Sequence, residues 1–220
     1  MSEIYYADDL ITLYLGDALE VDEWQAGDVL VTDPPYGLDS HLGIGGLTAG
    51  GERIHAAQGW DADLSVRDAV LERWGSRPYA VFGSPRRLDA APAYRETPLV
   101  WDKGNVVAMG DTGFPWRPTY ELIYVAGDGW AGYRGEAILR VRHDQRDARD
   151  LGHPTPKPIA LMTAIVEKAP PGVIVDPFAG TGATLIAARN AGRRSIGVER
   201  DPDYCAAAVR RIAGAPVHLW

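Results

Sequence analysis

Two glycines and an acidic residue late in the sequence have the types and spacing of a nucleoside-binding site. The stretch VIVDPFAGTGATLIAARNAGRRSIGVERD predicts a strand ending in Asp176, a turn with Gly180 and Gly182, a helix, and a strand ending in Glu199. Glycines permit close approach of a ligand, and the second carboxylate can accept hydrogen bonds from ribose hydroxyls. Leu185 replaces the third glycine of a dinucleotide fingerprint, and no phosphate-loop GK[ST] occurs. The pattern predicts a nucleoside ligand without a pyrophosphate, with a purely structural strand, turn and helix as the alternative.

A second chemically distinctive segment, TDPPYG at residues 32–37, directly follows the apolar run DVLV. It ends a predicted buried strand with a carboxylate, two prolines that cannot donate a backbone hydrogen bond, an aromatic ring and a glycine. The structural interpretation is a proline-rich turn in which Asp33 caps the backbone and Tyr36 is half buried. The functional interpretation is a rigid holder for a polar group of a ligand.

Apolar, β-prone runs alternate with amphipathic stretches, which is the pattern of an α/β domain with a mostly parallel sheet. Strands are predicted at 11–16, 28–33, 79–84, 98–102, 121–126, 173–177 and 194–199. Helices are predicted near 66–75, 86–93, 158–168, 183–191 and 203–213, and Asp201 or Asp203 is expected to cap the last one. A chain of 220 residues can bury its own core, so we expect a single domain over 1–220.

Composition excludes several classes of protein and site. Cys205 is the only cysteine, which excludes a disulfide framework and a cysteine-based zinc site. The five histidines lack the spacing of a metal site. No run is long and apolar enough to span a membrane, and the N-terminus lacks the pattern of a signal peptide, so we expect a soluble, cytoplasmic protein.

Three motifs occur in a fixed order: DPPY at 33–36, HPTPKP at 153–158 and DPFAGTGATLIAA at 176–188. With LYLGDALEV, LVWDKGN, YELIYVAG and GRRSIGVERDPDY, they resemble the amino-group DNA methyltransferases of the β arrangement, in which the catalytic motif comes first and the S-adenosylmethionine loop last. The resemblance implies a Rossmann-like α/β fold with a mostly parallel central sheet and helices on both faces. It also implies a catalytic half at about 1–126, a short target-recognition segment at 127–152 and a cofactor-binding half at 153–220.

The resemblance gives the DPPY turn a chemical role. An exocyclic amine of a nucleobase is a poor nucleophile because its lone pair is conjugated into the ring. Asp33 and the backbone carbonyl of Pro34 are expected to accept hydrogen bonds from this amine and aim it at the sulfonium methyl group, while Pro35 helps to fix the turn. Tyr36 offers a face on which a base extruded from the duplex can stack.

The cofactor implied by the resemblance is S-adenosylmethionine, and its binding residues follow by position in the motifs. Four residues are expected around its methionine part: Asp176, Phe178, Gly180 and Gly182. Glu199 is expected on the ribose, and Asp17, in LGD, near the adenine end. Thr155 and Lys157 match residues near the carboxylate of the cofactor.

Double-stranded DNA is the implied partner, although a net charge of -8 argues against a protein that coats nucleic acid through bulk charge. The arginines expected to contact phosphates are Arg86, Arg87, Arg140 and Arg142. Acidic residues are interspersed among the arginines of 134–149, so a solvated, salt-bridged surface is the alternative there. The glycine-rich segment 37–60 follows Tyr36 and could close over the base. The short recognition segment is compatible with a homodimer.

The motifs leave several activities to be distinguished. DPPY is typical of the adenine-N6 enzymes, whereas the cytosine-N4 enzymes more often begin the motif with serine. Transfer to carbon 5 of cytosine needs a cysteine nucleophile, and Cys205 has no such context. Protein-glutamine methyltransferases usually begin the tetrapeptide with Asn and carry their cofactor loop before it. A DNA-binding relative with little catalytic activity is the alternative from another functional class.

Overall fold

The computed structural model describes residues 2–37, 64–104, 115–116, 119–142, 151–153 and 156–215. The strands are β1 (Glu3–Ala7), β2 (Ile11–Leu15), β3 (Val29–Thr32), β4 (Tyr79–Gly83), β5 (Leu99–Asp102), β6 (Tyr120–Ala126), β7 (Ile138–Arg140), β8 (Ile174–Asp176) and β9 (Ser195–Glu199). The α-helices are α1 (Ser65–Trp74), α2 (Ile159–Val166), α3 (Ala183–Asn190) and α4 (Pro202–Gly214). Short 3-10 turns lie at Glu23–Ala26 and Leu88–Ala90.

The strands form one mixed sheet in the order β1-β2-β9-β8-β3-β4-β6-β5-β7. Strands β2, β9, β8, β3 and β4 run parallel to one another, while β1 and β6 are antiparallel to their neighbours. From β3 the chain continues outward to β4, and from β8 it continues in the opposite direction to β9. The carboxyl ends of β3 and β8 therefore flank the point where the connections reverse, which is where open α/β sheets bind ligands.

Helices cover both faces of this sheet. Val29 and Val31 of β3 pack with α2 and α3, whereas Leu30 between them packs with α1 and with Trp24 on the other face. A third cluster joins α4 to β2 and α3. Every residue of β3, β4 and β8 is buried, as expected for central parallel strands covered on both sides. The predicted α/β class, with its mostly parallel sheet, is confirmed.

Most predicted elements are present, and the differences have local causes. The prediction of a helix over 86–93 is wrong, because the structure has only the 3-10 turn at Leu88–Ala90. Pro92 disfavours helical backbone in the preceding residue, and Ala91 is indeed extended, with φ -64° and ψ 126°. Strands β1 and β7 were not predicted. They lie at the two edges of the sheet, where β1 is mostly exposed and β7 has three residues.

Several sequence-based expectations fall on residues outside the described ranges. These are Thr155, the glycine-rich segment beyond Gly37 and residues 143–150 of the proposed recognition segment. The proposed catalytic and cofactor-binding halves share one sheet, and their division as functional units stays a prediction. Among the described residues, no helix has the length and apolar character needed to cross a membrane, and no cluster of His, Cys, Asp and Glu could hold a metal ion.

Candidate active site

Polar residues from the DPPY turn and the glycine turn lie at the carboxyl ends of the central strands. Glu199 and Asp176 are the last residues of β9 and β8, Asp33 directly follows β3, and Asp17 comes two residues after β2. These four strands are parallel and adjacent, so their carboxyl ends lie side by side at the same end of the sheet. The fold therefore brings the DPPY turn and the glycine turn, more than 140 residues apart in sequence, to the same place.

Asp176 links the two turns through its side chain. Its Oδ1 accepts hydrogen bonds from Oγ1 of Thr32 at 2.5 Å and from the backbone nitrogen of Phe178 at 3.1 Å. Its Oδ2 accepts one from Oγ1 of Thr184 at 2.6 Å. Burial raises the pKa of Asp176 to about 6, and these donors oppose the rise only in part. Asp176 thus ties the end of β3 to the glycine turn and to the start of α3.

The glycine turn after β8 depends on backbone angles that favour glycine. Gly180 and Gly182 have φ of 50° and 76°, in the left-handed region. A Cβ atom at Gly182 would also lie 3.2 Å from Cβ of Ala208, so the missing side chain lets the turn pack against α4. The structure therefore gives a physical reason for both glycines of the motif.

Glu199 closes this turn from the neighbouring strand. Its Oε2 accepts a hydrogen bond from the backbone nitrogen of Gly180 at 2.8 Å, and its Oε1 accepts one from that of Asp201 at 2.9 Å. Burial raises the pKa of Glu199 despite these two donors. Because each carboxylate oxygen can accept more than one hydrogen bond, the group retains acceptor capacity for hydroxyls of a ligand.

Asp17 and Phe178 flank the same region. Oδ1 of Asp17 accepts a hydrogen bond from the backbone nitrogen of Leu19 at 2.8 Å, which shapes the turn after β2. The preceding residue, Gly16, donates its backbone N–H to the carbonyl oxygen of Glu199 at 3.0 Å, so Asp17 is anchored beside the end of β9. Phe178 is half buried against the core that contains α1.

The Asp33 carboxylate of the DPPY turn is held by two side chains. Nζ of Lys157 forms an ion pair with its Oδ2, and the hydroxyl of Tyr36 donates to its Oδ1. Lys157 comes two residues before α2, so the HPTPKP motif is brought against the DPPY turn. The family resemblance predicts Lys157 near the carboxylate of the cofactor, whereas the buried ammonium group of Lys157 pairs with Asp33 in the structure.

Glu121, on β6, is a site residue that sequence reasoning did not single out. Its Oε2 lies 3.1 Å from the oxygen of the Tyr36 hydroxyl and 3.2 Å from Nζ of Lys157. Nζ of Lys103 pairs with its Oε1. A signal was available, because YELIYVAG and LVWDKGN place these charges in or beside apolar strands. The sequence alone does not show that the two charges meet.

The charges of this cluster set the pKa values of its members. Burial raises the pKa of Asp33, Lys157 opposes that rise, and Glu121 adds to it. Burial also acts to raise the pKa of Glu121, but Lys157 and Lys103 outweigh it and bring the value to about 2. For Lys157 the two carboxylates outweigh burial and raise the pKa. The cluster therefore contains two carboxylates and two ammonium groups, which balance one another.

The predicted DNA-contacting arginines lie in two places. Arg86 and Arg87 follow β4, where Nη1 of Arg87 donates to the carbonyl oxygen of Gly37 at 2.7 Å. Arg140 and Arg142 lie at the end of edge strand β7 and just after it, and both are exposed. Arg140 pairs with Glu136 at 2.5 Å, in keeping with the salt-bridged alternative. Arg87 lies beside the DPPY turn, since Gly37 directly follows Tyr36.

Comparison with known proteins places this chain in a family. The family model described as DNA methylase, for N6 and N4 enzymes, matches residues 90–210, more than half of the chain. Type II methyltransferase M.ScaI of Streptomyces caespitosus is 42% identical over 263 aligned residues, covering 98% of this chain and 86% of that protein. Methylase YubD of Escherichia coli (strain K12) is 33% identical over 110 residues, which is 49% of this chain and 40% of that protein. The chain thus spans well under two thirds of that relative.

Solved structures of low sequence identity share the fold. M1.HpyAVI in complex with SAM has a TM-score of 0.63 at 20% identity, covering 92% of this chain and 99% of that chain. PvuII DNA methyltransferase, described as cytosine-N4-specific, has a TM-score of 0.68 at 13% identity, covering 99% of this chain and 90% of that chain. The fold is that of the S-adenosylmethionine-dependent methyltransferases. Motif order, fold and family model agree, and the chain therefore belongs to the N6/N4 DNA methylase family, whose members depend on S-adenosylmethionine.

Proposed function

We propose that this chain transfers the methyl group of S-adenosylmethionine to N6 of adenine in double-stranded DNA. The main observation behind the proposal is that Asp33 lies where the strand connections reverse. The hydrogen bond from Thr32 to Asp176 joins the end of β3, next to Asp33, to the glycine turn. A site for an amine and a site for a nucleoside cofactor are thereby held side by side on rigid strands. Such positioning is the main requirement of a transfer between two bound groups.

The proposed chemistry of the DPPY turn is to hold and aim the amine. When bound, S-adenosylmethionine supplies an electrophilic methyl group. The Asp33 carboxylate and the Pro34 carbonyl accept hydrogen bonds from the NH2 group, which localises the nitrogen lone pair as positive charge develops. Pro35 limits the movement of the turn, and the Tyr36 ring supports the flipped base by stacking.

The residues around the glycine turn fit the proposed cofactor. Gly180 has no side chain to cover the half-buried backbone of the turn, and Gly182 lets that turn pack against α4. Glu199 offers acceptor oxygens suited to ribose hydroxyls. We keep Asp17 as the proposed residue near the adenine end, with Asp176 and Phe178 shaping the turn. Thr155 stays a proposed partner of the cofactor carboxylate. For Lys157 we propose Asp33 as the partner, since its ammonium group already pairs with Asp33 and Glu121.

N4 of cytosine is the second candidate for the methylated atom. The fold likeness to a methyltransferase described as cytosine-N4-specific keeps this possibility open, although 13% identity supports the fold alone. Both bases present an amine beside an acceptor ring nitrogen, so a hydrogen-bonding holder fits either. The Asp at position 33 favours adenine, because the cytosine enzymes more often have serine there.

Nucleoside analysis tests the proposal directly. The protein is incubated with S-adenosylmethionine and unmethylated duplex DNA of mixed sequence, the DNA is digested, and the nucleosides are identified by mass. The Asp33→Ala variant, purified in the same way, controls for methyltransferases of the expression host. We expect N6-methyladenine with the unaltered protein only. N4-methylcytosine would overturn the choice of base, and DNA binding without any methylated nucleoside would favour a catalytically weak relative.

A further inference from the structure

Glu121, Lys103 and Lys157 form a group of charges beside Asp33 that is larger than Asp33 needs to accept a hydrogen bond from an amine. Asp33 alone could accept a hydrogen bond, yet it is joined to Lys157, and Lys157 is joined in turn to Glu121. The side chains of Lys157 and Glu121 are 7% and 9% exposed, so both ions are largely removed from water. Burying paired ions adds little to stability compared with apolar residues of similar size. A role beyond stability is therefore the better explanation.

The contacts all lead to the Asp33 carboxylate. Lys157 fixes Oδ2, and the Tyr36 hydroxyl fixes Oδ1 while its oxygen lies 3.1 Å from Oε2 of Glu121. Glu121 thus contacts both residues that hold Asp33, and Lys103 neutralises its remaining oxygen. Because β6 lies next to β4 within the sheet, Glu121 is attached to rigid structure rather than to a loop.

We propose that Glu121 is a positioning residue that, through Lys157 and Tyr36, fixes the orientation of the Asp33 carboxylate for the target amine. This inference rests on the proposed function, since it assigns to Asp33 the task of accepting hydrogen bonds from that amine. It does not depend on whether the base is adenine or cytosine, because both present the same kind of amine.

The two charges nearest Asp33 affect it in opposite directions. The groups that face its carboxylate are Lys157, Glu121 and the Tyr36 hydroxyl, with Asp176 on the neighbouring strand. The positive charge of Lys157 lowers the pKa of Asp33, and the negative charge of Glu121 raises it. Removing Lys157 should therefore raise the pKa of Asp33, and removing the charge of Glu121 should lower it.

The test compares the pH dependence of methyl transfer by Lys157→Met and Glu121→Gln with that of the unaltered protein. Since the acid limb of kcat/KM reports ionisation of the free enzyme, it should move to higher pH in Lys157→Met and to lower pH in Glu121→Gln. At the optimum pH, loss of orientation should lower kcat on the order of 10²-fold in each variant. Glu72→Gln, an exposed change on α1, is the matched control and should leave both quantities unchanged.

Two further measurements separate positioning from loss of fold. Cofactor affinity by calorimetry should be nearly normal in all variants, because the glycine turn is not altered. Lys157→Arg keeps the positive charge and should keep the acid limb where it is, even if kcat falls. Acid limbs that stay in place in both Lys157→Met and Glu121→Gln, or a normal kcat in both, would overturn the inference. An unaltered protein that methylates no DNA would instead overturn the proposed function.

Discussion

At the scale of single residues, Tyr36 has two functional parts. The sequence suggested only that its ring stacks on a base, whereas the structure shows that its hydroxyl group also contacts the carboxylates of the site. The hydroxyl donates its single proton to Asp33 and lies 3.1 Å from Oε2 of Glu121, so the ring is held at its far end. A tethered ring loses less freedom when a base stacks on it than a mobile ring would. In the proposed reaction, Tyr36 therefore contributes to the arrangement of the acceptor carboxylate as well as to capture of the base.

Replacing Glu199 by Ala should weaken binding of S-adenosylmethionine by about 1.5 to 3 kcal/mol, the range for a hydrogen bond to a charged group. The loss of affinity should be larger than in Glu199→Gln, because glutamine has the same length as glutamate and keeps one acceptor oxygen. Calorimetry with the three proteins measures it, and circular dichroism checks that the turn held by Glu199 has not unfolded. Equal affinity in all three would reject the proposed ribose contact.

Asp176 should make folding stability depend on pH. Its pKa is about 6 in the folded protein and near the usual 3.8 when unfolded, so between these values the folded state binds more protons. Stability should therefore fall as pH rises from about 4 to about 6, by on the order of 1 to 3 kcal/mol from this residue. Urea unfolding of the unaltered protein and of Asp176→Asn at several pH values isolates the effect. Parallel pH profiles of the two proteins would contradict it.

At the scale of elements, the sequence predicted strands and helices correctly where a local pattern of apolar residues or a capping residue marks them. The central strands are apolar runs because they are buried on both faces, and α4 is capped by Asp201, one of the two residues expected to cap it. Edge strands β1 and β7 lacked that signal. The two turns of the site could be predicted because their motifs are contiguous. The cluster of Lys103, Glu121 and Lys157 could not, because it arises only when β5, β6 and the segment before α2 meet.

Replacing Asp201 by Ala should destabilise the fold through the start of α4. The Asp201 side chain accepts hydrogen bonds from the backbone nitrogens of Asp203 at 2.8 Å and Tyr204 at 3.4 Å. Loss of such a cap costs about 0.5 to 2 kcal/mol. Denaturant unfolding should show this loss, whereas Asp203→Ala, which removes an exposed side chain that does not cap, should show much less. A similar effect of both changes would mean that the cap contributes little.

At the scale of the whole molecule, a net charge of -8 has to be reconciled with binding to a polyanion. The exposed arginines at and after β7 offer local positive charge, although Glu136 partly neutralises Arg140. Arg87, which follows β4 together with Arg86, lies beside the DPPY turn through its contact with Gly37. DNA binding in the proposed function should therefore rest on few phosphate contacts, from these two places.

Charge reversal at Arg140 and Arg142 should weaken DNA binding and reduce an already modest dependence on salt. Each lost phosphate contact lowers the slope of log affinity against log salt concentration by about 0.9. Arg210→Glu reverses the charge of an exposed residue on α4 and serves as the control, because each such substitution changes the net charge by the same amount. Fluorescence anisotropy with duplex DNA over a salt series measures both. If the double variant matches the control, the phosphate contacts lie elsewhere.

In the proposed reaction, Asp33 acts on the target amine during methyl transfer and takes no part in binding the cofactor. The most direct test is the single-turnover rate of methyl transfer to duplex DNA by Asp33→Asn, a change that removes the charge but keeps the size, alongside cofactor affinity by calorimetry. We predict a rate lower by about 10²- to 10³-fold, as for loss of one preorganised electrostatic contact, with nearly unchanged affinity for S-adenosylmethionine. A near-normal rate in Asp33→Asn would contradict this role of Asp33.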